Sequence, residues 1–247
     1  MIKFLWRKSP DILYQLYKKK NKIRNELFYF SSRNNECGIK GTISINHPDY
    51  EKFKFSEHRS IIKGDYIVFL DTFFPYHPDL KKFFNVNLEY CGNRYNKSLI
   101  RFFDFIEEKY KMPVVIAAHP KSNYKSGDFG KREIIRYQTD NLVINSSAVL
   151  THGSNSISYA ILADKPMALI CTDDYEKVYR LKRITKLLGR YFKIPYYNID
   201  KLNFNDFDFS NVDKNVRNDY IYSYLTTQET KNKKTKEIIK ETITKVR

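Results

Sequence analysis

The feature that most restricts this chain is an alternation, starting near Asp65, of short apolar runs with amphipathic stretches. Residues 66 to 72, YIVFLDT, are apolar up to a terminal acid and hydroxyl. A strand covered on both faces reads this way, whereas a half-exposed strand alternates apolar with polar. The same signature recurs in PVVIAAHP (113 to 120), AVLTH (148 to 152) and MALICT (167 to 172), with a fifth run at IPYYNI (194 to 199). Between the first two lies KSLIRFFDFIEEKYK, whose Leu99, Phe102, Phe103, Ile106 and Tyr110 fall on one face of a helix. Residues 154 to 164 and 175 to 192 read as further helices. Strands separated by helices predict an α/β fold: a Rossmann-like parallel sheet with flanking helices.

In such a sheet, ligands bind beyond the carboxyl ends of the strands. The residues just past those ends are therefore the candidates. They are Asp71 and Thr72 after the first strand, His119, Pro120 and Lys121 after the second, and His152, Gly153, Ser154, Asn155 and Ser156 after the third. Gly153 suits a close backbone approach, and the serines open a helix whose free N–H groups favour an anion. His119 can donate to a phosphate oxygen, with Pro120 restricting its backbone. Asp71 can orient a hydroxyl, act as a base or cap a turn. The dipeptide His-Pro occurs three times, at His47, His77 and His119.

Outside this region the pattern is weaker. Residues 1 to 60 lack a clean period, carry a basic cluster over Tyr17–Arg24, and read as short helices and loops. The α/β domain is expected over 61 to 212. Residues 213 to 247 end in a basic amphipathic helix with Ile239, Ile243 and Val246 on one face. Its two readings are a solvated helix on the domain and a membrane-surface contact.

Composition narrows the function. The formal net charge of +16 over 247 residues calls for a polyanionic partner: nucleic acid, anionic lipid or an acidic substrate. No run reaches the ~18 apolar residues of a membrane span, and the N-terminus lacks a signal-peptide apolar core, so a cytoplasmic chain is expected. Cys37, Cys91 and Cys171 lack CxxC spacing and read as reduced thiols. Neither GxGxxG nor GxxxxGK[ST] is present, which disfavours dinucleotide oxidoreductases and P-loop kinases. No metal-ligand motif is visible and no cofactor is expected.

The segments VFLDTFFPYHPD, VVIAAHPKSNY and THGSNSISYAILADKP together resemble the donor-binding half of bacterial surface-polysaccharide glycosyltransferases of the GT-B fold. The likeness is to the CMP-sugar-dependent sialyltransferase, polysialyltransferase and Kdo-transferase group, over roughly residues 64 to 172. It implies that His119 and Pro120 are the His-Pro motif, and that Ser154 and Ser156 are the serine motif engaging the CMP phosphate and ribose. It also implies a metal-independent transfer from a nucleotide sugar to a cell-surface glycan or lipid-linked precursor, beside an anionic membrane. The paired acids followed by Gly are not visible, so Asp71 stands in as the candidate base. Only about sixty unpatterned residues precede the first strand, so the acceptor half is expected to be truncated, absent or supplied by a partner chain.

Three alternatives stay open. One is a catalytically inactive donor-domain homologue that binds a nucleotide or partner, since fold does not dictate function. Another is a CDP-polyol phosphotransferase using the same phosphate site. The third, a nucleic-acid-binding protein, is disfavoured because most aromatics sit in apolar runs and no nucleic-acid motif appears.

Overall fold

The computed structural model describes residues 29–32 and 42–244, which form two compact units. The larger comprises Ser56–Arg217. The described part of the other joins the two ends of the chain, up to Phe55 and from Asn218 onward. The basic cluster at 17–24, Cys37 and Val246 lie outside the described residues.

In the smaller unit, β1 (Tyr29–Ser31) pairs in parallel with β2 (Thr42–Ser44), and α1 spans Pro48–Phe55. Asn46 fastens this segment to the C-terminal one. Its buried amide donates to the carbonyls of Thr230 (3.1 Å) and Lys233 (2.6 Å), and its oxygen accepts from Thr226 Oγ1 at 2.7 Å. The unit closes with α9, Thr235–Thr244, after α8 (Lys214–Tyr220), which crosses from one unit to the other. In α9 it is Ile238 that is buried, while Ile243, on the expected apolar face, is 49% exposed.

The larger unit is an α/β Rossmann-like domain around a six-stranded, wholly parallel sheet. Its strands are β3 (Ile67–Leu70), β4 (Val114–Ala118), β5 (Ile134–Arg136), β6 (Ala148–Thr151), β7 (Met167–Cys171) and β8 (Tyr196–Asn198). Their spatial order is β5-β4-β3-β6-β7-β8. The chain enters at the centre, builds outward to one side, then returns and builds outward to the other. The reversal falls between β3 and β6, which pair in the register Ile67↔Ala148 through Leu70↔Thr151. Loops leaving adjacent strands in opposite directions part there, and that is where such sheets bind ligands.

All residues of β3, β4, β6 and β7 are buried, as their uninterrupted apolar runs require. The long helix α3 (Gly92–Tyr110) covers the sheet with Tyr95, Leu99, Phe102, Phe103 and Ile106, all fully buried. Phe103 meets Phe69 of β3 at 5.1 Å between ring centroids. Burying each such side chain contributes on the order of 2 kcal/mol. The remaining helices are α2 (Pro78–Phe84), α4 (Thr139–Asn145), α5 (Ile157–Leu162), α6 (Asp173–Glu176) and α7 (Tyr179–Phe192). Two expectations change here. The single helix over 175–192 is two, divided at Val178, whose backbone is extended (ψ 91°). The helix expected from Ser154 begins at Ile157, because residues 154 to 156 form turns.

Candidate functional site

The three His-Pro dipeptides have a common local cause. Proline has no N–H, so the first amide after it is that of the next residue, and the histidine ring takes that bond. Nδ1 of His47 accepts from Asp49 N at 3.2 Å, Nδ1 of His77 from Asp79 N at 3.2 Å, and Nδ1 of His119 from Lys121 N at 3.1 Å. At His77 this caps α2, with Pro78 at its first turn. Accepting at Nδ1 places the proton of the neutral ring on Nε2, which leaves Nε2–H of each ring as a donor.

Two of these rings meet at the carboxyl edge of the sheet. His77 and His119 pack edge to face, with centroids 4.8 Å apart. The Phe73 ring lies nearly parallel to that of His119, at 8° between the planes and 6.4 Å between centroids. Lys121 Nζ stands 3.8 Å from Asp79 Oδ1. Burial lowers the pKa of both histidines; Lys121 lowers each of them further and Asp79 opposes it. His77 was not among the expected site residues. The signal was its repeat of the His-Pro dipeptide, which by itself marks a turn.

Asp71 organises this cluster. Its buried carboxylate accepts from Phe73 N (2.9 Å) and Tyr124 Oη (3.1 Å) on one oxygen, and from His119 N (3.0 Å) on the other. It thereby ties the loop after β3 to the loop after β4. It also holds Phe73 at φ 56°, a conformation uncommon for a bulky residue. Burial pushes its pKa up to about 6, against the opposing pull of those hydrogen bonds. The next residue, Thr72, has a buried Oγ1 with no hydrogen-bond partner, as does the buried Ser122 in the turn after Pro120. Pro120 itself is exposed and accepts from Tyr137 Oη at 3.3 Å.

Beyond the end of β6 the picture is different. His152, expected to bind phosphate, is fully buried and uses both ring nitrogens internally. Nδ1–H donates to the Ile170 carbonyl at 2.6 Å, and Nε2 accepts from Tyr95 Oη at 2.6 Å. The ring lies between Tyr175 (4.7 Å, 28°) and Phe69 (5.3 Å, 81°). Burial lowers its pKa to about 4. Its side chain is therefore a core element that fixes the loop, not a ligand contact.

Gly153 is glycine for two reasons, neither of which is a ligand. Its φ is +107°, and a Cβ would stand 3.0 Å from Leu188 Cδ1 of α7. Thr151 Oγ1 accepts from the amides of Gly153 (3.0 Å) and Ser154 (3.1 Å), and Ser154 Oγ accepts from Ser156 N at 3.3 Å. Asn155 is exposed, and its carbonyl accepts from Ser158 Oγ at 3.2 Å. The structure thus groups Asp71, His119, Pro120 and Lys121 with His77 on one side of the end of β3. Ser154, Asn155 and Ser156 form a hydroxyl- and amide-bearing turn on the other, beyond β6.

A third polar group lies beyond β7. Asp174 of α6, its side chain almost wholly buried, receives Arg94 of α3 in a two-pronged pair that includes Nε at 2.7 Å, and Lys177 Nζ at 2.7 Å. The Arg94 guanidinium holds its pKa low, helped by Lys177. No set of three or more His, Cys, Asp or Glu among the described residues is arranged to hold a metal ion.

Fold and site together define a Rossmann-like domain with a polar, imidazole-bearing cluster at the carboxyl edge of its sheet. No family model matches the chain, and no curated protein matches it. Among solved structures it is similar to the glycosyltransferase SnogD from Streptomyces nogalater, at 9% identity over 66% of this chain and 46% of that one, with a TM-score of 0.40. It is likewise similar to UDP-GlcNAc 2-epimerase of Methanocaldococcus jannaschii in complex with UDP-GlcNAc and UDP (13%, 74% and 55%, TM-score 0.40). The spinosyn forosaminyltransferase SpnP is a further such structure (12%, 73% and 40%, TM-score 0.32). The chain thus spans between 40% and 55% of the length of these three. The fold itself is assigned from strand order and register.

Proposed function

We propose that the carboxyl edge of this sheet binds a nucleotide-activated sugar, CMP-linked as the sequence resemblance implies, and that the chain takes part in glycosyl transfer. The supporting observation is the unfinished hydrogen bonding in the loops that follow β3 and β4. Buried hydroxyls normally find partners, and an unpaired one there calls for an explanation. Thr72 Oγ1 lacks a partner beside Asp71, as does Ser122 Oγ beside His119. The donor's phosphate would receive Nε2–H from His119 and His77, Lys121 Nζ, and the Ser154–Ser156 turn. In transfer, an acceptor hydroxyl oxygen bonds to the anomeric carbon as the bond to the nucleotide phosphate breaks; the phosphate leaves with that bond's electron pair, and the hydroxyl proton passes to the released phosphate or to water. Donors fixed on that phosphate stabilise the departing charge without a metal. Asp71 acts in this reading as a positioning residue for His119. The acceptor, a glycan or lipid-linked precursor, would be held by groups outside this edge of the sheet, including a partner chain.

One observation favours a second reading, a nucleotide-binding module that does not itself transfer. The candidate base Asp71 already accepts three hydrogen bonds. Calorimetry with CMP, CDP, UDP, GDP and ADP tests the site. Cytidine nucleotides alone should bind, and binding of none of them would remove the proposal. Release of CMP from a CMP-sugar in the presence of acceptor then separates transfer from binding alone.

A further inference from the structure

α7 carries Arg180, Lys182, Arg183, Lys186 and Arg190 and neither Asp nor Glu. Its inner face is fixed: Thr185, Gly189 and Phe192 are buried. At about 100° per residue, the outward arc from Lys186 through Arg190, Arg183 and Leu187 to Ile184 spans roughly 160°. Apolar side chains stand out among these cations. Tyr179 is 73% exposed, Ile184 43% and Leu187 49%. Glu176 pairs with Lys182 at 3.1 Å and is also within the field of Lys186, at the margin of this arc.

We infer that the outer face of α7 docks on an anionic lipid surface. The cations supply attraction to acidic headgroups, and Ile184, Leu187 and Tyr179 supply side chains that enter the headgroup boundary. A nucleic acid would use the charge but give no place to two exposed aliphatic side chains, so the lipid surface is the better match. The C-terminal helix is the weaker candidate on the same criteria. Glu237 and Glu241 offset its lysines, and Lys233 is engaged with Glu241 at 2.7 Å. No helix among the described residues is long and apolar enough to cross a membrane, so the contact is with the surface. Thr185 on the inner side of α7 donates to the His152 carbonyl, and Gly153 packs on Leu188. Docking would therefore leave α7 between the lipid surface and the 152–156 turn. The inference does not depend on the nucleotide reading, because vesicle binding and nucleotide binding are measured separately.

Sedimentation of the full chain with phosphatidylcholine vesicles, with and without phosphatidylglycerol, tests it. Binding should require phosphatidylglycerol and weaken as salt is added. Replacing Arg183→Gln and Arg190→Gln together should reduce partitioning roughly thirtyfold, at about 1 kcal/mol per cation. Leu187→Ser with Ile184→Ser should remove the part of the binding that survives high salt. Lys236→Gln with Lys240→Gln in α9 should leave partitioning unchanged. Equal binding to both vesicle types, or anionic binding untouched by the α7 changes, would overturn the inference. So would tight binding to a single-stranded oligonucleotide with no vesicle binding, or a dimer that Leu187→Ser dissociates in a protein that ignores vesicles. Circular dichroism and calorimetry with CMP check that each variant is folded, and loss of CMP binding in all proteins would strike the nucleotide proposal alone.

Discussion

Replacing His152 by Phe separates a core role from a ligand role. The ring volume is nearly kept, so the cavity cost is small, but Tyr95 Oη and the Ile170 carbonyl each lose a 2.6 Å partner in the interior. A buried polar group left unpaired costs about 1–3 kcal/mol, so the variant should lose about 2–6 kcal/mol. The pH dependence is a second, independent signature. The imidazole titrates near 6.5 when unfolded and near about 4 when folded, so the unfolded chain binds more protons in between. Stability is complete above the unfolded value and drains away as pH falls toward the folded one. From pH 7.5 to pH 5 the loss from this group alone is about 2 kcal/mol.

Urea unfolding followed by circular dichroism, at those two pH values, reads both effects. The wild type should lose stability on acidification, and His152→Phe should be less stable at neutral pH with that component of the slope removed. Other groups contribute to the slope, so the difference between the two proteins is the quantity to compare. If His152→Phe keeps wild-type stability and slope yet loses CMP binding, the buried assignment is wrong and the ring belongs to the ligand site.

The other predictions concern the loops around it. Gly153→Ala should destabilise by more than 1 kcal/mol, from the φ of +107° and the 3.0 Å approach to Leu188; adding Leu188→Ala should relieve only the steric part in thermal unfolding. His119→Ala, and to a lesser degree His77→Ala, should weaken CMP binding about tenfold, or 1.4 kcal/mol, while leaving the unfolding midpoint nearly unchanged. Because both imidazoles titrate below their ordinary value, CMP affinity should rise as pH falls below about 6.5, and calorimetry of the double variant should show that dependence lost. Arg94→Gln should bring the Asp174 carboxyl back toward its ordinary titration range, visible in an NMR pH titration of that side chain. Chelation by EDTA should leave any transfer activity intact; loss restored by Mg²⁺ would overturn the metal-free mechanism.

What the sequence disclosed follows from which forces leave a mark in one segment. The buried strands β3, β4, β6 and β7 were legible because burial on both faces demands unbroken apolar runs. β5 was not. Ile134–Arg136 is short and only partly buried, and its place in the sheet comes from backbone pairing with β4, in the register Ile116↔Ile134, which no side chain announces. The break at Val178 was hidden for the same reason. No Gly or Pro marks it; Thr172 caps the short α6 through Tyr175 N, and Arg94, eighty positions back in the chain, grips Asp174.

The candidate site shows that limit more sharply. Placement at strand ends drew attention to Asp71, His119 and residues 152 to 156, because topology alone dictates where loops gather. It could not say which of two histidines faces outward. His119 and His152 each follow a buried apolar strand, and the difference between them is made by residues far away in sequence. Tyr95 and Ile170 supply the partners that draw His152 into the core, whereas Lys121 N, two residues on, satisfies Nδ1 of His119 and leaves Nε2–H as a donor. The same local bond recurs at His77, and only the fold brings that ring within 4.8 Å of His119. A His-Pro dipeptide therefore specifies a turn and a tautomer, and only the fold packs a second imidazole against it. If calorimetry shows that His77→Ala and His119→Ala weaken CMP binding by amounts that simply add, the rings act as independent donors. A double variant no weaker than either single one would show that they bind as a unit, as their ring contact implies.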